Sequence, residues 1–140
     1  MISTTVFNNP NELAQAVAQR TIEDLQDAIY THGSAVWCLA GGSTPMAAYE
    51  IIAREFLRDL DWSKVYIIIG DERSVPLDSH DSSWKQADTI LLQYLPRAHQ
   101  VRPASNLTPE DAAADYESRL NKLPTKKGIL RIDVLWLGVG

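Results

Sequence analysis

"SAVWCLAGGSTPMAAYE", residues 34–50, decides how the rest of the chain is read. Its first seven residues (34–40) form an almost unbroken apolar run. The absence of polar alternation predicts a strand covered on both faces, as in parallel sheets. Two glycines, Ser43 and Thr44 follow, and a helix is then predicted from Thr44 to Leu57 with Pro45 in its first turn. A strand passing through a glycine-rich turn into a helix is the opening half of a β-α-β unit. At such a turn Gly41 and Gly42 let the backbone approach a ligand, and Ser43 and Thr44 offer hydroxyl donors. The helix N-terminus adds free N–H groups at the positive end of its dipole. The stretch is neither a Walker A loop nor a Gly-x-Gly-x-x-Gly fingerprint. Two meanings stay open from these residues alone: an anion cradle, or an ordinary turn in which Ser43 or Thr44 caps the helix.

On either side the same alternation continues. Asn9 before Pro10 is a helix start, Leu13, Val17, Leu25 and Ile29 recur near helical spacing, and Gly33 supplies the stop. "KVYIIIG" (64–70) predicts the second buried strand, Ser82 to Leu95 a helix ended by Pro96, and "RIDVLWLGVG" (131–140) a third buried strand. Between the last two, Thr108 and Pro109 open a helix with acidic residues in its first turn. The expectation is one α/β domain over residues 1–140, a parallel sheet flanked by helices. Ligands of such sheets bind beyond the C-terminal strand ends. Here those ends are followed by "GGSTP", "DERSVP" and "GVG".

Composition narrows the partners. A net charge of -5, with 45% hydrophobic and 22% charged residues, describes an ordinary globular chain and argues against nucleic acid or an anionic membrane as the main partner. No apolar run approaches the roughly 20 residues of a membrane span. The N-terminus carries no secretory pattern, so a cytoplasmic protein is expected. Cys38, inside the run "AVWCLA", reads as a buried inert thiol. His32, His80 and His99 lack metal-ligand spacing, and no metal is expected. Trp37, Trp62 and Trp136 read as packing residues, whereas Trp84, after "HDSS", is the tryptophan placed near a ligand.

The second strand end is the most heavily charged. Asp71 and Glu72 are candidate acid–base groups there, and Arg73 offers a planar fork for phosphate. The bland alternative is a solvated turn with a local ion pair.

With "LAGGSTP", "GDERSVP", "DSS" opening the next helix and "RIDVLWLGVG" all in order, the chain resembles the 6-phosphogluconolactonases of the glucosamine-6-phosphate isomerase/deaminase superfamily. The resemblance implies a Rossmann-like α/β fold, no metal and no redox cofactor. It further implies hydrolysis of 6-phosphoglucono-1,5-lactone in the pentose phosphate pathway, with a small-molecule sugar phosphate as partner. Gly41, Gly42, Ser43 and Thr44 would line the phosphate site, Arg73 would be a second phosphate contact, and Asp71 and Glu72 would shape the pocket beside the sugar ring. The deaminases typically carry an aromatic residue where Arg73 stands. Family members commonly have Asp-Ser-Asn where this chain has Asp81-Ser82-Ser83, and no role is assigned to that triplet. The family's Leu-Gly-x-Gly-x-Asp-Gly-His motif supplies the histidine proposed as general base. This chain reads Gly138-Val139-Gly140, so the base is expected beyond Gly140, in a longer enzyme of which this is the N-terminal portion or a degenerate copy. The rival readings are an amino-sugar-phosphate isomerase or deaminase using Asp71 for proton transfer, and a non-catalytic sugar-phosphate-binding fragment. The residues do not specify an oligomeric state.

Overall fold

A computed structural model of the chain describes residues 1–138. The first helix, α1 (Pro10–His32), starts and stops on local chemistry. The Asn9 side chain accepts from the Glu12 backbone N–H, and Gly33, at φ 79°, returns its N–H to Ile29 O. Its buried stripe is Ala14, Ala18, Thr21, Ile22, Leu25 and Ala28, while Leu13, Val17 and Ile29 are only half-buried. The helix is therefore turned so that small residues face inward.

Strand β1 (Ala35–Leu39) is buried at every position, as the apolar run predicts. After α2 (Ser43–Ile51) the helix widens into a π-helical segment over Ile52–Phe56. Strand β2 (Val65–Ile69) pairs with β1 in parallel, Ala35 beside Val65 through Leu39 beside Ile69. Helix α3 (Ser83–Ile90) ends earlier than the Leu95 expected from the sequence, and a 3-10 turn (Leu92–Tyr94) follows. The helix stops where Leu91 leaves helical geometry (φ -131°, ψ -52°), and Leu91, Leu92 and Leu95 still all enter the core. The Gln100 side-chain amide donates to the freed carbonyls of Leu92 (3.0 Å) and Leu95 (3.1 Å).

The remaining elements are short: β3 (His99–Gln100), α4 (Pro109–Leu120), β4 (Thr125–Lys126), β5 (Ile129–Leu130) and β6 (Val134–Leu135). The four-stranded sheet runs β3-β2-β1-β6 with every pairing parallel. One face carries Trp37, Leu39, Ile67 and Ile69 against buried residues of α1, α2 and α3. The other carries Val36, Cys38 and Ile68 under Leu120, Leu123 and Leu130. This is the α/β fold with helices on both faces of a parallel sheet. Among the described residues no helix is long and apolar enough to cross a membrane.

The third long strand is not observed. Only Val134 and Leu135 pair with β1, and Leu135 and Leu137 remain 49% and 78% exposed. Among the described residues β6 has a strand neighbour on one side only, and while Val134 stays in the core, Leu135 lacks the flanking side chains of a second neighbour. Val139 and Gly140 lie outside the described residues. The segment is instead held at its start by charge. Asp133 accepts from Val36 N–H (2.8 Å) and from Arg131 Nε (3.0 Å), and Arg131 also donates to Ser34 O (2.7 Å). This pair is mostly buried, with side chains 15% and 9% exposed, and its side-chain contacts to Val36 and Ser34 tie the start of β6 to the beginning of β1. Further along, Trp136 stacks on Tyr49 (4.9 Å, 5°), meets Trp37 edge to face, and donates from Nε1 to Thr21 Oγ1.

Candidate functional site

At the C-terminal edge of the sheet, two tyrosines finish the strand ends. The Tyr49 hydroxyl donates to Ala40 O (2.8 Å) and accepts from Ala40 N–H (3.3 Å) just beyond β1. From α4, the Tyr116 hydroxyl does the same for Ile69, donating to its carbonyl (2.9 Å) and accepting from its N–H (3.0 Å). Burial pushes the Tyr116 phenol up to about 12 and that of Tyr49 upward as well, so both remain neutral donors. Each closes a backbone pair that no neighbouring strand reaches among the described residues.

Beyond β1, Gly42 adopts φ 105°, ψ 167°, a conformation for glycine. Gly41 is needed for a different reason. A Cβ there would overlap Ser83 Oγ and lie 2.9 Å from Ser83 Cβ. The turns opening α2 and α3 therefore touch. Among the described residues no side chain caps α2, and Ser43 and Thr44 are exposed at its first turn.

Beyond β2, the Glu72 carboxylate is fully engaged. One oxygen accepts from the Arg73 N–H (2.7 Å) and the Ser83 N–H (2.8 Å), the other from Ser82 Oγ (2.9 Å) and the Trp84 N–H (3.0 Å). Ser82 itself accepts from Lys85 N–H as the N-cap. Glu72 thus closes the start of α3 and fixes the backbone of Arg73, a duty different from proton transfer. Asp71 is exposed and adjoins Cys38 closely enough for its charge to add to the effect of burial on that thiol, which is pushed up to about 11. A thiol so raised stays protonated and unreactive.

A cavity of about 210 Å³ is lined by Asp71, Glu72, Arg73, Trp84, Arg102 and Tyr116, among others. Gly41 to Thr44 border a second, wider cleft of about 870 Å³, shared with Leu13, Val17, Trp136 and Leu137. The structure brings the two expected clusters to one edge but into adjoining spaces, linked through the Gly41–Ser83 contact and the Ser83–Glu72 hydrogen bond. Trp84 is buried and lines the smaller cavity. His80 is exposed, and its carbonyl accepts from Gln86. His99 pairs with Tyr66 near the beginning of β2, stacks on its ring, and lies within 3.0 Å of Ser63 O, away from the strand ends that carry the site. Among the described residues no three His, Cys, Asp or Glu side chains converge on a metal position. Arg102 escaped the sequence because the strand before it has two residues and no apolar pattern. The only available signal was a cation following a short extended segment.

Known proteins resemble this arrangement. The family of glucosamine-6-phosphate isomerases/6-phosphogluconolactonase matches residues 8–140. A 6-phosphogluconolactonase of Rhizobium meliloti is 36% identical over 137 residues, covering 96% of this chain and 56% of its own length. One from Neisseria meningitidis is 32% identical over 141 residues with the same coverages. The crystal structure of a 6-phosphogluconolactonase from Shewanella baltica superposes with a TM-score of 0.77 at 31% identity, over 89% of this chain and 54% of that one. The chain therefore spans little more than half the length of these relatives.

Proposed function

Because the chain belongs to the glucosamine-6-phosphate isomerase/6-phosphogluconolactonase family, we propose that its reaction is the hydrolysis of 6-phosphoglucono-1,5-lactone to 6-phosphogluconate. In this reading Gly41, Gly42, Ser43 and Thr44 meet the substrate's phosphate, with Arg73 as a further contact. The observation that carries the reading is the pair of helix starts at one sheet edge. Helix α3 already binds a carboxylate, that of Glu72, through backbone N–H groups. Helix α2 presents its own first turn with no side-chain cap among the described residues.

Lactone hydrolysis adds water to the ring carbonyl and expels the ring oxygen. It needs a base for the water, donors for the developing oxyanion, and a grip that positions the ring. The residues assigned here supply the grip. Glu72 is held by four hydrogen bonds and shapes the pocket; it is not assigned the proton transfer. Arg73, where the deaminases typically carry an aromatic residue, favours the lactone over an amino-sugar phosphate. The proposed setting is the pentose phosphate pathway in the cytoplasm.

Titration of the isotopically labelled chain with 6-phosphogluconate tests the reading. The amides of Gly41, Gly42, Ser43 and Thr44 and the Arg73 side chain are expected to shift. Silence there, with responses elsewhere, overturns the assignment, and tighter binding of glucosamine 6-phosphate would favour a deaminase instead.

A further inference from the structure

Five of the chain's arginines, Arg20, Arg54, Arg97, Arg119 and Arg131, sit against a carboxylate. Among the described residues Arg58, Arg73 and Arg102 do not. Arg58 is simply exposed. The other two line the same 210 Å³ cavity, delivered by the segments that follow β2 and β3. That cavity also holds two carboxyl groups, yet neither takes up the guanidinium charge. Glu72 turns its oxygens to the start of α3, and Asp71 lies within ion-pair distance of neither arginine. Arg102 is half-buried and precedes Pro103, which restricts its backbone to extended conformations. The wall beside it is rigid, because Tyr116 is pinned to Ile69. Two arginines without a carboxylate partner on the lining of one small cavity, Arg73 exposed and Arg102 half-buried, suit a group with several acceptor oxygens and a double charge, as a phosphomonoester has.

We propose that Arg102 is a second phosphate-binding arginine, acting with Arg73 to select phosphorylated over unphosphorylated sugar acids. The proposal rests on the sugar-phosphate reading above and extends it to a residue with no place in the sequence motifs. The test is calorimetric titration of the full chain and its variants with 6-phosphogluconate and with gluconate. Arg102→Ala is expected to weaken 6-phosphogluconate binding about tenfold or more, since hydrogen bonds to charged groups are the strong ones. Gluconate affinity should be unchanged, and Arg58→Ala should match the wild type with both ligands. Arg102→Gln keeps the stem without the charge and decides the question if circular dichroism shows Arg102→Ala to be unfolded. Wild-type affinity in a folded Arg102 variant overturns the proposal and leaves the sugar-phosphate reading standing. A wild-type chain that binds gluconate as tightly as 6-phosphogluconate overturns both.

Discussion

Helices α2 and α3 leave adjacent strands at the same edge of the sheet, and their first turns are finished in opposite ways. At α3, Ser82 and Glu72 together take up the side-chain and backbone donors of the first turn. At α2 the capping position is Gly42, with no side chain to offer. One helix start is complete within the protein, and the other leaves its donors to solvent or a ligand. The difference separates two kinds of polar residue that a sequence presents alike. Glu72 belongs to the architecture, whereas Ser43 and Thr44 are exposed at the start of α2, where the proposed function assigns them to the phosphate.

The sharpest way to break this comparison is Glu72→Ala, which strips α3 of its internal anion and leaves Ser83 and Trp84 N–H groups unpaired. We expect a loss of about 3 kcal/mol in urea unfolding, because several charge-assisted hydrogen bonds go together. Weaker phosphate-ligand binding should accompany it through Arg73. An unchanged unfolding midpoint would return Glu72 to the pool of acid–base candidates.

Next in size is Gly41→Ala, which forces the two turns apart. Overpacking against Ser83 should cost about 1–3 kcal/mol by the same measurement, and adding Ser83→Gly should restore part of it. Simple additivity of the two changes would show that the turns do not press on each other.

The tyrosine joining α4 to the end of β2 has a smaller effect. Tyr116→Phe leaves the Ile69 carbonyl and N–H without their partner, for a loss of about 1–2 kcal/mol. The folded state holds the Tyr116 proton more tightly than the unfolded chain, so its contribution is complete below about pH 10 and fades as the pH rises toward about 12. Unfolding followed across that alkaline range should fall less steeply in Tyr116→Phe than in the wild type. The smallest change is expected from Asp71→Asn, within about 0.5 kcal/mol, because Asp71 is exposed and enters no hydrogen bond among the described residues. A larger loss would mean that the acidic pair is a structural unit after all.

What was legible in the sequence was local. Asn9, Pro10 and Gly33 mark α1 because capping chemistry involves residues three or four positions apart. The apolar runs of β1 and β2 read correctly because both faces are covered. "RIDVLWLGVG" carries the same apolar signal, but composition cannot say whether a strand has one neighbour or two. Strand β3 and the β4–β5 hairpin, turning at Lys127 and Gly128 with φ 55° and 78°, are too short for any periodicity to show. At the site, the glycines and Arg73 were visible as a motif. The capping duty of Glu72 was hidden, since its partners lie ten to twelve positions away and meet it only through the tertiary fold. Arg102 was hidden because the strand before it, His99–Gln100, is too short to show a pattern.

The stack of Trp136 on Tyr49 gives the molecule an optical gauge of its own site. Trp136 walls the cleft that Gly41 to Thr44 border, while Tyr49 rides on α2, one helix turn and a half from Ser43. Any ligand that draws the start of α2 inward changes the overlap of rings now 4.9 Å apart and within 5° of parallel. Trp37, set edge-on to both, couples to the same movement. If the proposed phosphate site at the α2 turn moves that helix, near-ultraviolet dichroism of the unlabelled chain is expected to report it with no added dye.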